Sequence, residues 1–271
     1  MNQPICLFDS GIGGLTVFKK LLNRFPNENY IYLADLARVP YGDRTKDDIE
    51  NIVSEIIEWL LKFNPKLIVM ACNTSSSTVL DDYKKKLNLP VYGTIESCSK
   101  EIALSNLKKV TVWATKATTD SNAYKNKIQK VNSNIIVEEI PCPKLVPMIE
   151  DLNFIAPEKE NIIREYLEIT SNDSDVLVLG CTHYPLIQND LVRLSNIKII
   201  DPADALINEL DKLLSSSTKK TDITEANHKI SLYTTAQTEK LQRFARLYLC
   251  GDYKVNTISL SKLTNKIFHL C

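Results

Sequence analysis

Two cysteines in this chain stand where a thiol could do chemistry. "LIVMACNTSSS" runs from Leu67 to Ser77, and "VLVLGCTHYPL" runs from Val176 to Leu186. Each is a short apolar run, a small residue (Ala71 or Gly180), a cysteine (Cys72 or Cys181) and then hydrogen-bonding side chains leading into a helical pattern. A thiol at a helix start meets unpaired backbone N–H groups and the positive end of the helix dipole, and both stabilise a thiolate. Asn73, Thr74 and the serines after Cys72 can cap the following helix and can also bind a carboxylate. Thr182 and His183 follow Cys181, with Pro185 at an expected first helical turn. Two thiols in matching settings suit symmetric acid–base chemistry. One takes a proton from a carbon while the other gives a proton to the opposite face, which is what inverting a stereocentre requires.

The residue types leave other readings open. Either thiol could be a core cysteine at a strand end. A zinc site of Cys72, Cys181 and His183 would lack a fourth ligand and compact spacing. Cys181 with His183 could be the nucleophile and base of a hydrolase, although a two-residue spacing does not by itself aim the imidazole at the sulfur. A catalytically silent binding protein is a further alternative. "DSGIGG", Asp9 to Gly14, lacks the GxGxxG spacing and the lysine of a phosphate loop. Its glycines would let backbone approach a ligand, and Asp9 suits an ammonium group better than a phosphate; a plain strand-to-helix turn has the same composition. "VPYG", Val39 to Gly42, reads as a turn, and Glu150 reads by composition as a helix-surface carboxylate. His228 and His269 read as loop or tail residues.

The elements that must position these groups alternate between strand and helix. Strands are expected at Ile5–Phe8, Tyr30–Leu33, Leu67–Ala71, Val91–Gly93, Val110–Ala114, Ile135–Ile140, Val176–Leu179, Ile197–Ile200 and Ile230–Tyr233. From Thr45 a helical face carries Ile49, Ile52, Val53, Ile56, Ile57, Leu60 and Leu61, with Thr45 and Asp48 as an approximate capping box and Pro65 as the stop. Pro157–Ile169 and Ala203–Leu214 are likewise amphipathic, and Ser215–Asn227 reads as a surface loop before a last strand and helix. This alternation predicts an α/β fold with parallel sheets covered by helices on both faces. Ligands in such folds sit beyond the carboxyl ends of the strands, where "DSG", "CNT" and "CTH" all emerge. The two cysteine strands also suggest an internal duplication, with the thiols facing each other across one cleft.

Composition excludes several function classes. The 271 residues are 44% hydrophobic and 24% charged, and Lys plus Arg equals Asp plus Glu at 33 each, so no global field attracts nucleic acid or an anionic membrane. The lysine runs at 84–86 and 219–220 read as solvated surface. No window approaches the run of about 18 apolar residues of a membrane span, and the N-terminus reads as a first strand rather than a signal peptide. A cytoplasmic chain with reduced thiols is expected. The seven cysteines are odd in number and form no CxxC pair, which argues against a disulfide framework or a zinc ribbon.

With those residues collected, the sequence resembles the glutamate racemases of the cofactor-independent aspartate/glutamate racemase superfamily. The matching stretches are "FDSGIGGL" (8–15), "YLADLARVPYG" (32–42), "VMACNTSSS" (69–77), "ATKATTDSNAY" (114–124), "CPKLVPMIE" (142–150) and "LGCTHYPL" (179–186). They cover roughly the first 205 residues in the family's order; the tail beyond about residue 215 resembles nothing strongly. The resemblance implies interconversion of L- and D-glutamate without pyridoxal phosphate or any other cofactor or metal, supplying D-glutamate for peptidoglycan. It implies that Cys72 deprotonates the D enantiomer and Cys181 the L enantiomer, assisted by Asp9 and His183 respectively. Ser10, Tyr41, Gly42, Asn73, Thr74 and Thr182 match substrate-binding positions, and Thr115, Thr118 and Glu150 match neighbouring site positions. The implied architecture is two pseudo-symmetric α/β domains, residues 1–94 with 207–271 and residues 95–206, with the site in the cleft between them. A homodimer with no nucleic-acid or membrane partner is also implied. Lys144, Leu145 and "TIESCSK" (94–100) depart from the family's usual pattern. A racemase for aspartate or another amino acid is the nearest alternative.

Overall fold

The computed structural model describes residues 3–151, 156–217 and 229–260. In chain order its first elements are β1 (Ile5–Asp9), α1 (Gly14–Arg24), β2 (Tyr30–Ala34), α2 (Lys46–Leu61), β3 (Leu67–Met70), α3 (Asn73–Lys86), β4 (Val91–Gly93) and α4 (Thr94–Ala103). Next come β5 (Lys109–Ala114), α5 (Lys116–Asp120), α6 (Ala123–Val131), β6 (Ile136–Pro141), α7 (Leu145–Glu150), α8 (Ala156–Ile169) and β7 (Val176–Gly180). A short 3-10 turn (Tyr184–Ile187), α9 (Gln188–Leu194), β8 (Lys198–Ile200), α10 (Pro202–Ser217), β9 (Ile230–Thr234), α11 (Thr238–Leu249) and β10 (Val255–Thr257) complete the described chain.

The strands form two sheets, one of six strands in the order β10-β9-β2-β1-β3-β4 and one of four in the order β6-β5-β7-β8. Every pairing is parallel. The central strands explain why. β1, β3 and β7 are buried along their whole length, and strands covered on both faces carry continuous apolar runs instead of alternation. One face of the larger sheet packs on α1, α10 and α11 through residues such as Phe18, Leu206 and Phe244, and the other packs on α2 and α3 through Ile56, Leu60 and Leu80. The smaller sheet has α4 and α6 on one face and α7 to α9 on the other.

α2 illustrates how sequence fixes an element. Ile49, Ile52, Val53, Ile56, Ile57 and Leu60 are buried on one face, and each fully buried aliphatic side chain contributes about 1.5–3 kcal/mol. Thr45 is its N-cap and accepts the Asp48 N–H at 3.2 Å. The helix ends where Asn64 turns to φ 49 ahead of Pro65.

Some expectations change. β10 is an additional strand, too short and too polar for its pattern to stand out. α10 continues through Ser217, so the first three residues of the expected 215–227 loop are helical, and 218–227 lie outside the described residues. His228, His269 and the lysines at 219–220 lie outside them as well. Among the described residues, no helix is long and apolar enough to cross a membrane.

Candidate active site

Asp9 closes β1, Cys72 follows β3 as the N-cap of α3, and Cys181 follows β7. The two thiols wall one small cavity of about 20 Å³, shared with Ser10, Tyr41, Gly42, Asn73, Thr74, Thr115, Thr182 and His183. Asp9, Thr118 and Glu150 stand behind that lining, in contact with it. Cys72 and Cys181 are 4% and 7% exposed, so both are nearly shut away from solvent.

The Cys72 thiol lies 3.6 Å from Ser10 Oγ. Burial and the neighbouring Asp9 charge push it up to about 11, against the pull of the Ser75 N–H and the Ser10 hydroxyl, so Cys72 is a neutral thiol near pH 7. Asp9 is itself fully buried. Its Oδ2 accepts the Gly11 N–H at 3.0 Å and its Oδ1 accepts the Thr182 hydroxyl at 3.1 Å. Burial raises Asp9 above the usual carboxylate range, opposed by the His183 charge, the Gly11 and Gly14 N–H groups and Thr182.

The polar row after Cys72 does not cap α3 as its composition suggests. The N-cap position is Cys72, whose side chain makes no capping bond, so Asn73 already lies inside the helix. The Asn73 Oδ1 instead accepts from Thr94 Oγ1 (3.0 Å) and from Tyr124 OH (2.8 Å). With both lone pairs of that oxygen engaged, its –NH2 is the end left for a ligand. Ser76 and Ser77 donate to the Met70 and Thr74 carbonyls.

Cys181 has different company. A turn closed by the Tyr184 N–H on the Cys181 carbonyl (3.1 Å) folds His183 back, placing Nδ1 3.7 Å from Cys181 Sγ. The turn supplies the aim that the two-residue spacing alone does not. His183 Nε2 lies 2.8 Å from Glu150 Oε1, and Lys240 Nζ donates to Glu150 Oε2, also at 2.8 Å. Burial alone would lower His183, but its bonds to Cys181 and Glu150 and their charges hold it up to about 10. Glu150 is driven down to about 2 despite its burial, by His183 and Lys240. Near neutral pH the pair is therefore imidazolium and carboxylate, with the cation beside the Cys181 sulfur. Glu150 is not the solvated helix-surface carboxylate that its composition suggests.

Close backbone approach holds the two strand-end systems together. A Cβ on Gly13 would lie 2.5 Å from both His183 Nδ1 and Thr182 Oγ1, so only glycine lets the β1–α1 turn lie against the β7 turn. Thr16 Oγ1 donates to the Thr182 carbonyl at 3.0 Å. On the other side, the Gly42 carbonyl accepts the Ala117 N–H at 3.0 Å, and Thr74, Thr115 and Thr118 form a chain of hydroxyls. Tyr41 donates to Asp35 Oδ2 at 2.5 Å, and Asp35 also receives Arg38 and Thr235. Burial and the Asp35 charge push the Tyr41 phenol well above its ordinary range, which keeps it a donor. Among the described residues, no three His, Cys, Asp or Glu side chains group as metal ligands.

The structure also brings in residues that sequence reasoning did not single out. Asp35 and Tyr124 lie inside the matching stretches, so a signal for them existed. Lys240 lies on α11, expected only as a last helix, and no motif or spacing marks it.

The model of the Asp/Glu/Hydantoin racemase family matches residues 13–210, a span that holds both thiols, His183 and Glu150. The chain belongs to this family. A glutamate racemase from Fusobacterium nucleatum is 36% identical over 260 residues, covering 95% of this chain and 98% of that one. Among solved structures, the Francisella tularensis glutamate racemase in complex with D-glutamate superposes with a TM-score of 0.88 at 34% identity, over 96% of this chain and 98% of that chain. A glutamate racemase isoform from Bacillus anthracis gives a TM-score of 0.89 at 29% identity, with the same two coverages. Family membership makes the chain an amino-acid racemase fold of two helix-flanked parallel sheets, with its cysteine-bearing strand ends turned to a common cavity.

Proposed function

We propose that this chain interconverts L- and D-glutamate, with Cys72 and Cys181 acting on opposite faces of the α-carbon. The observation that carries the reading is the shared cavity, walled by a neutral thiol on one side and by a sulfur with its own imidazolium on the other. The glutamate racemases among its relatives support the choice of substrate. The Cys181 thiolate takes the α-proton of L-glutamate, forming S–H and leaving the C–H electron pair on Cα, delocalised into the carboxylate. The Cys72 thiol then gives its proton to the opposite face and D-glutamate results. The D to L direction runs the same steps backwards, and the sulfurs exchange protons with solvent between turnovers.

Asp9 stands with Cys72, and His183 with Cys181, as the charged groups that tune each transfer. Asn73, Thr74 and Thr182 hold the carboxylate with preorganised donors, and Ser10, Tyr41, Gly42, Thr115, Thr118 and Glu150 complete the walls and their support. Two thiols and these donors require no cofactor. A dry enclosure strengthens the thiolate as a base. A cavity of about 20 Å³ holds about one water, whereas glutamate has about ten non-hydrogen atoms, so the cleft widens to admit substrate and closes over it. The moving bodies are residues 1–94 with 207–271 and residues 95–206, a division supported by the two separate sheets.

D-Glutamate made in the cytoplasm would feed peptidoglycan synthesis. A homodimer is part of the same reading, supported by exposed Leu104, Val131 and Ile136 near one end of the smaller sheet. Sedimentation velocity would give twice the 30.7 kDa of the chain. The deciding assay incubates the protein with L-glutamate and L-aspartate separately in D2O and follows loss of the α-proton by NMR. Exchange with glutamate is expected in the unaltered protein, and racemisation should be crippled in Cys72→Ser and in Cys181→Ser. Full racemisation after either change refutes the two-thiol mechanism, and exchange with aspartate alone refutes the substrate.

A further inference from the structure

We infer that Lys240 is a positioning residue for the Cys181 half of the reaction, acting through Glu150 and His183. This rests on the racemase reading above. Lys240 lies on α11, seated on the larger sheet by the buried Leu241, Phe244 and Ala245. Glu150 ends α7, on the smaller sheet. Lys240 Nζ donates to one carboxylate oxygen at 2.8 Å, His183 Nε2 lies 2.8 Å from the other, and His183 Nδ1 lies 3.7 Å from Cys181 Sγ. The lysine thus fixes the carboxylate that fixes the imidazolium beside the sulfur. The contact spans the two sheet systems, so the full support of Cys181 assembles only when they meet.

Cys72 has no equivalent. Its neighbour Asp9 is held by Gly11, Gly14 and Thr182, with no lysine or arginine in contact among the described residues. Loss of Lys240 therefore weakens the Cys181 transfer directly and reaches the Cys72 side only through the His183 charge on Asp9. The lysine side chain is only 24% exposed and the Glu150 side chain 13%, so the pair is partly shielded from solvent.

The two enantiomers have an equilibrium constant of one, so kcat/KM in the two directions must fall by the same factor whichever thiol is affected. Steady-state rates alone cannot reveal the asymmetry, but α-deuterium isotope effects can. In Lys240→Met, kcat/KM is expected to fall about tenfold in both directions, the effect of losing one charge-assisted hydrogen bond. The isotope effect on kcat/KM should rise for L-[2-2H]glutamate, because abstraction by Cys181 becomes more rate-limiting. It should fall for D-[2-2H]glutamate, because the following protonation by Cys181 slows more than abstraction by Cys72. Lys240→Arg should restore both values towards those of the unaltered protein. Lys240→Gln gives the same readout if the methionine variant melts early. Isotope effects that stay unchanged, or move together, overturn the role of Lys240 while leaving the racemase reading standing. If the unaltered protein exchanges no glutamate α-proton, both readings fail.

Discussion

Gly13→Ala tests whether the two strand-end turns must touch for catalysis. Gly13 has φ −58 and ψ −34, an ordinary right-handed helical conformation that alanine adopts without strain. At the start of α1 the change should stabilise the chain locally by up to about 0.5–1 kcal/mol, since alanine loses less backbone entropy than glycine. Across the cleft the effect is the opposite. The new Cβ would stand 2.5 Å from His183 Nδ1 and Thr182 Oγ1 and 2.8 Å from the His183 backbone nitrogen, against 3.4 Å for ordinary contact. The backbone atom cannot rotate aside, so the β7 turn retreats by about 1 Å, and a misplacement of about 1 Å costs on the order of 100-fold in rate. The retreat draws the imidazolium from the Cys181 sulfur and Thr182 from Asp9 together. Circular dichroism at fixed enzyme concentration follows racemisation from either enantiomer, and a thermal melt of the same sample reports the fold. A loss of about 100-fold in kcat/KM in a protein that still melts cooperatively is expected. Racemisation within about threefold of the unaltered protein would mean that the close approach has no catalytic weight.

The His183–Glu150 pair gives stability a defined pH window. His183 is raised from 6.5 to about 10, so its contribution is complete below about pH 6.5 and is lost as pH rises towards 10. Glu150 is lowered from 4.5 to about 2, so its contribution is complete above about pH 4.5 and is lost as pH falls towards 2. The difference in melting temperature between the unaltered protein and His183→Asn should be widest between these limits and shrink towards pH 10; calorimetry showing a gap that widens with pH would refute the ion pair. Tyr41→Phe removes the buried hydroxyl that donates to Asp35, and urea denaturation should record a loss of about 1–3 kcal/mol. An unmoved midpoint would show that Arg38 and Thr235 satisfy Asp35 by themselves.

The strand–helix alternation was legible because hydrophobic pattern is local, and nine expected strands correspond to β1 through β9 within a residue at each end. β10 was not, because three residues with one buried side chain make no pattern. The thiols were legible for the same local reason: each interrupts an apolar run at a point where the chain must turn. The partnerships behind them were not. Nothing in "NTSSS" tells that the Asn73 carbonyl faces Thr94 and Tyr124 rather than its own helix. Those partners come from α4 and α6, and only the folded arrangement of the helices brings them to it. Glu150 and Lys240 are 90 residues apart, and each alone looks like a soluble helix charge. Their pairing is a property of the folded arrangement, and long-range electrostatic contacts of this kind leave no period in the sequence.

The unlike surroundings of the two sulfurs have a geometric consequence. The products of racemisation are mirror images, and a chain of L-residues cannot build a mirror. Duplicated halves can at best be related by a rotation. A twofold axis lying in the plane of the flattened α-carbon would exchange its two faces, as the chemistry wants, but it would also swap at least two of its three substituents. A perfectly symmetric cleft would therefore have to receive an ammonium group and a carboxylate-bearing side chain in identical pockets. Asp9 held by backbone on one flank, and an imidazolium held by Glu150 on the other, remove that degeneracy. In the proposed reaction, broken symmetry is thus what allows the site to hold one fixed set of substituents while one face loses a proton and the other gains a different one.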